Sequence, residues 1–133
     1  MTLDPLAGHV VVLAGVDAST GVALLSRGVL LAVVSSERSV IDTVEQAATQ
    51  HPTSMLLSYR ADPCDPQVWD RVAAHIEQRV GPVDAVLCTK EAYTAVEATF
   101  AADLGRRGHG VILPVSPGED PIAELPRLLR RTP

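Results

Sequence analysis

The sequence predicts a three-layer α/β/α fold, a doubly wound parallel sheet of about five strands with helices on both faces. Three observations predict it. Five apolar runs recur along the 133 residues. Each run is rich in Val, Leu and Ile without strict alternation, the pattern of strands covered on both faces. Between them lie segments with apolar residues three and four apart, the pattern of helices with one buried stripe. Strand alternating with helix implies parallel pairing through right-handed crossovers. Two strand orders remain open, 3-2-1-4-5 of the Rossmann type and 2-1-3-4-5 of the flavodoxin type. In both, the functional crevice opens beyond the carboxyl ends of the strands.

HVVVLAG (9–15) reads as the first strand, and a first helix is expected from Gly21 to Gly28. VLLAVVS (29–35) is the second strand, followed by a helix over SVIDTVEQAATQ (39–50). SMLLSYR (54–60) is the third strand, and PQVWDRVAAHIEQRV (66–80) the helix after it. Asp65 suits the N-cap of that helix, Pro66 its first position, and Gly81-Pro82 its stop. DAVLCT (84–89) is the fourth strand, EAYTAVEATFAADLG (91–105) a helix, and GVILPV (110–115) the fifth strand. In the tail, Pro126 is expected to prevent one continuous helix, leaving a short helical piece and a frayed end within 118–133. With no linker, repeat or low-complexity tract, residues 1–133 are expected to form a single Rossmann-like domain.

Composition excludes several classes. A net charge of −5 and aromatics limited to Trp69, Tyr59, Tyr93 and Phe100 argue against a nucleic-acid surface, which needs basic grooves and stacking rings. No apolar run reaches membrane-spanning length, so no membrane partner is expected. The start has no basic stretch ahead of its apolar run, so it reads as a strand and not a leader, and the cytoplasm is the expected location. Cys64 and Cys88 have no metal-ligand spacing and the histidines are scattered, so no metal is expected. In the order 3-2-1-4-5, Cys64 and Cys88 stand about three strand spacings apart, roughly 14 Å, beyond the reach of a disulfide.

The motifs resemble, in eroded form, those of the short-chain dehydrogenase/reductase family. That family's first turn reads TGxxxGxG; here the frame is Ala14-Gly15, Val16-Asp17-Ala18, then Ser19-Thr20-Gly21. Its outer glycines stand at Gly15 and Gly21, and its middle one is Ser19. GPVDAVLCTKE (81–91) resembles the segment ending in NNAG, with Cys88-Thr89-Lys90-Glu91 in its place. Asp62 stands where the family has an aspartate that contacts adenine. YTA (93–95) and the stretch from Val96 to the V-S-P-G ending are similar to the catalytic helix and the strand after it. The family's Tyr-x-x-x-Lys would place its lysine at position 97, which is Glu97. Too few residues separate Cys88 from Val115 for the family's dimer helix and serine-bearing strand. A rival alignment makes GVILPVS the serine strand, with Ser116 near the serine position.

The opening turn decides whether a cofactor is expected. A diphosphate binds a helix N-terminus because unpaired N–H groups and the helix dipole favour an anion there. Ser19 hinders close approach, and the Asp17 carboxylate competes for the same place. A cap is therefore preferred over an intact dinucleotide site, and no cofactor is expected in preference to NAD(P). Glu37 could still take a ribose hydroxyl and Arg38 a 2′-phosphate, although S-S-E-R also reads as an ordinary capped helix start. Lys90, the chain's only lysine, precedes Tyr93 by three, so on a helix the two could share a face. A rebuilt Tyr93–Lys90 pair is one reading; a surface lysine beside a half-buried tyrosine is the preferred one. Cys88, inside a strand, reads as a small core residue.

The helix over 91–105 is small and apolar nearly all round, and the corresponding helix of the resembling family forms a subunit interface. The resulting expectation is a catalytically silent, reductase-like subunit that associates with itself or with a full-length reductase through this helix. The alternative is a minimal NAD(P)-dependent oxidoreductase using Tyr93 and Lys90. A binding module for another small ligand in the crevice is a third class. A receiver-type domain is set aside because the fifth strand ends at Pro114 without the lysine it would need.

Overall fold

The computed structural model describes residues 6–51, 55–107, 110–116 and 120–130. Five strands and five helices alternate: β1 (Val10–Ala14), α1 (Ala18–Leu25), β2 (Leu30–Ser35), α2 (Arg38–Ala48), β3 (Met55–Arg60), α3 (Pro66–Arg79), β4 (Ala85–Cys88), α4 (Tyr93–Arg107), β5 (Val111–Pro114) and α5 (Pro121–Arg130). All neighbouring strands are parallel. Their order is β3-β2-β1-β4-β5, so the Rossmann order holds over the flavodoxin one. This is a Rossmann-like three-layer α/β/α fold.

The apolar runs are continuous because each strand serves two cores. Val10, Val12 and Ala14 of β1 face Trp69, Val72 and Ile76 of α3 with Val96 and Phe100 of α4. Val11 and Leu13 face the opposite layer, with Leu24 of α1, Val44 of α2 and Leu125 of α5. Trp69 is fully buried, meets the Phe100 ring edge-on at 5.6 Å, and donates from Nε1 to the Pro63 carbonyl at 2.7 Å. That bond fixes the loop after β3 to the core.

Two helices depart from expectation. The first runs Ala18–Leu25 and not 21–28, because Asp17 caps it and Gly28, at φ +80°, lies in the turn beyond its end. The tail forms one helix, Pro121–Arg130, with Pro126 inside it. Proline within a helix costs about 3 kcal/mol. Leu125 is fully buried against the α1–α2 layer, with Ile122 and Leu129 packed beside it. Each such side chain contributes roughly 1.5–3 kcal/mol when fully buried, so docking outweighs the proline. The expected end fraying beyond Arg130 and the Pro117-Gly118 part of the V-S-P-G ending lie outside the described residues. α3 follows its expected course, capped by the Asp65 carboxylate, which accepts from the Gln67 N–H at 2.9 Å.

Candidate functional site

β1 and β4 are neighbours whose chains leave in opposite directions, β1 into α1 on one face and β4 into α4 on the other. Such a switch point opens a crevice at the carboxyl edge of a parallel sheet. Gly15 makes the turn out of β1 at φ +74°, a conformation that costs residues with a Cβ. A Cβ here would stand 3.3 Å from both Pro63 Cγ and Thr89 Oγ1. The resulting crevice has a volume of about 510 Å³. The loop after β1 supplies Gly15, Val16 and Asp17, the loop after β2 supplies Ser35 to Glu37, and the loop after β3 supplies Asp62 to Cys64. Thr89 and Glu91 close it from β4.

The charge is one-sided. Asp17, Glu37, Asp62 and Glu91 line the crevice, and among the described residues no lysine or arginine does. Asp17 Oδ1 accepts from the Thr20 N–H at 3.1 Å, the Thr20 hydroxyl at 2.8 Å and the Ser19 hydroxyl at 3.1 Å. These bonds, that from the Thr20 hydroxyl foremost, hold the Asp17 carboxyl below its ordinary range. The N-terminus of α1 therefore already holds an anion, the chain's own. Asp62 accepts from the Cys64 N–H at 2.9 Å, and buried Ser35 accepts from the Glu37 N–H at 3.1 Å, so both loops hold their own shape. Burial, followed by the charges of Asp62 and Glu91, pushes the Cys64 thiol up.

Of the residues expected from the sequence, Gly15, Glu37 and Asp62 meet at the crevice. Gly21 lies beneath it, where a Cβ would come within 3.0 Å of Val44 Cγ2 and 3.3 Å of Leu13 Cδ1. Its role is the close packing of α1 on α2 and β1. Ser19 is turned toward Asp17, and Arg38 forms an exposed pair with Asp42 at 3.6 Å. Glu37 is the N-cap residue of α2 by position but makes no side-chain cap bond. Ser116 follows β5, outboard of β4, and does not line the crevice.

Tyr93 and Lys90 do not share a helical face. α4 begins at Tyr93, and Lys90 lies in the turn ahead of it, its carbonyl accepting from the Tyr93 N–H at 3.3 Å. The Tyr93 hydroxyl donates to Glu97 Oε2 at 2.7 Å. This bond, with the Glu97 charge, raises the phenol pKa, opposite to the effect of a lysine partner. Cys88 is fully buried in β4, and burial pushes its thiol up to about 11. Glu91, three residues past the last residue of β4, lies in the strand-end segment 89–93 that the sequence already assigns to the crevice; what the sequence does not assign to it is an acidic wall. Among the described residues, no group of three His, Cys, Asp or Glu side chains is placed to hold a metal ion, and no helix is long and apolar enough to cross a membrane.

No family model matches the chain, and no curated protein does. Solved structures do match. NAD+-bound xylitol dehydrogenase superposes with a TM-score of 0.68 at 13% identity, covering 94% of this chain and 61% of that one. A short-chain type dehydrogenase/reductase from Mycobacterium marinum gives 0.67 at 14%, covering 84% of this chain and 58% of its own. Hydroxysteroid dehydrogenase from Escherichia coli gives 0.67 at 15%, with 84% and 55% covered. The chain thus spans little more than half the length of these structures. At such identities the likeness is one of fold, and the fold is that of the short-chain dehydrogenase/reductases.

Proposed function

We propose that this chain, with its short-chain dehydrogenase/reductase fold, is a catalytically silent subunit that supports or shapes a partner. The partner is a second copy or a full-length reductase. The observation that carries this reading is the Asp17 carboxylate seated on the N-terminus of α1, in a crevice walled by Glu37, Asp62 and Glu91. The diphosphate of a nicotinamide dinucleotide does not fit these residues. It would have to displace Asp17 and then sit among like charges, with no lysine or arginine among the described lining residues to offset them. Each such contact costs on the order of 1–4 kcal/mol at a few ångströms.

The exposed side of α4 supports the partner half of the reading. Thr94, Glu97, Ala98, Ala101, Ala102 and Gly105 are exposed, so a second helix can approach the backbone closely there. The competing reading, a minimal NAD(P)-dependent oxidoreductase using Tyr93 and Lys90, draws on Gly15 and Gly21. Gly15 turns the chain out of β1 at positive φ and Gly21 lets α1 pack closely, which supports that reading.

Native mass spectrometry of the protein isolated from its own cells tests the two. A stable homo- or hetero-oligomer with no nicotinamide on this chain is the expected result. A lone chain carrying NAD(H) or NADP(H) would overturn the proposal in favour of the oxidoreductase.

A further inference from the structure

β3 is an edge strand, paired on one side with β2. The Ala61 N–H donates to the Ser35 carbonyl at 3.1 Å, so residue 61 faces β2. Peptide groups alternate sides along a strand, which turns those of residues 57 and 59 toward β2 as well. Those of Leu56, Ser58 and Arg60 are left pointing outward, a row of donors and acceptors open to another strand. Beside that row runs α3, and between the two lies a groove of about 670 Å³. Its floor is Tyr59, Ala61, Val68 and Val72, and its rim carries Arg60, Arg71 and His75. The Tyr59 hydroxyl and His75 Nδ1 lie 2.5 Å apart, which braces the strand against the helix.

Charge sets the groove apart from the rest of the molecule. The whole chain carries −5, yet no carboxylate lines the α3 face of this groove among the described residues; Glu45 of α2 lies on the other face, accepting from the Ser58 hydroxyl at 2.7 Å. Arg60 and Arg71 are exposed, and neither has an ion-pair partner among those residues. The charge of Arg79, one turn on from His75 along α3, is also felt at Tyr59.

We propose that this groove docks an extended, acidic segment of a partner protein, added to β3 as a sixth strand. Main-chain bonds to Leu56, Ser58 and Arg60 give the affinity. On the α3 face the carboxylates of the segment meet Arg71, their methylene stems lying over Val68 and Val72, and its alternate, apolar side chains turn to the other face beside Leu56. The groove adjoins the strand-end crevice at Ala61–Asp62 but shares no lining residue with it, and α3 separates it from α4, so it does not depend on the reading given above.

The test uses the full chain, 15N-labelled, and two fluorescent hexapeptides, one alternating Val with Glu and one alternating Val with Lys. The expected result is binding of the Glu peptide with a Kd below ~1 mM, with shifts centred on the amides of Leu56, Ser58 and Arg60. Arg71→Glu should weaken it about tenfold or more. Ser58→Pro, which removes an outward N–H and no ladder bond, should abolish it while leaving the remaining spectrum native. Equal binding of both peptides, no binding, indifference to Ser58→Pro, or dimerisation through β3 in the absence of peptide would each overturn the proposal.

Discussion

The Tyr93 hydroxyl donates to Glu97 Oε2 at 2.7 Å, one helical turn further along α4. A carboxylate in that place holds the phenol protonated, so its pKa lies above the ordinary 10.0. Glu97→Gln removes the charge and should bring the Tyr93 titration back down, read as phenolate absorbance in a Tyr59→Phe background. Glu97→Lys, which writes Tyr-x-x-x-Lys into the chain, should lower it further. On the function proposed above, no NAD(P)H consumption should follow with any carbonyl substrate, because the acidic crevice would disfavour the dinucleotide. Turnover in Glu97→Lys would show that the crevice accepts the cofactor after all.

Asp17 links stability to pH. Its carboxyl is held below the unfolded value of 3.8, so its contribution is present above that pH and is lost as pH falls through the lower folded value. Asp17→Ala should cost about 1 kcal/mol at pH 7, as losses of N-caps do. Urea denaturation should find the gap between wild type and variant widest near neutrality and closing in acid. A gap that persists at low pH would mean that Asp17 acts otherwise than as a charged cap.

Three glycines should answer differently to alanine. Gly15→Ala forces a Cβ into a positive-φ turn and should cost about 1–2 kcal/mol. Gly21→Ala presses a Cβ to 3.0 Å from Val44 Cγ2, and such overpacking typically costs about 1–3 kcal/mol. Gly105 has nothing within 4 Å of the added Cβ and lies in α4, so Gly105→Ala should stabilise the isolated chain by up to about 1 kcal/mol. Thermal unfolding of the three variants checks the signs together.

How much of this was legible in the sequence follows from the range of the interactions involved. Five strands stood out because burial on both faces leaves continuous runs such as Val10–Leu13, a local signature. The place of the crevice followed too, since strand ends can be read once strands can. Strand order could not be read, because both orders bury the same residues. Pro126 misled because propensity is local, whereas the docking of Leu125 onto the α1–α2 layer is not. The same limit hid the acidic wall: Asp17, Glu37, Asp62 and Glu91 come from four loops, and only the fold makes them neighbours. The cationic groove at β3 was invisible for the same reason.

The association proposed for α4 gives the last prediction. Ala98, Ala101 and Gly105 lie three to four residues apart on its exposed side, while Ala95, Val96, Phe100 and Leu104 are buried. A charged residue on the exposed side faces water in the free chain and should leave its stability within about 0.5 kcal/mol. At a close helix–helix contact, the same residue would be buried without a partner, which is strongly destabilising to the complex. Ala101→Arg should therefore dissociate the oligomer in sedimentation velocity while leaving the midpoint of urea unfolding of the free chain nearly unchanged. Gly105→Ala, stabilising alone, should weaken association by widening the gap between helices. If both variants assemble like the wild type, α4 is not the interface.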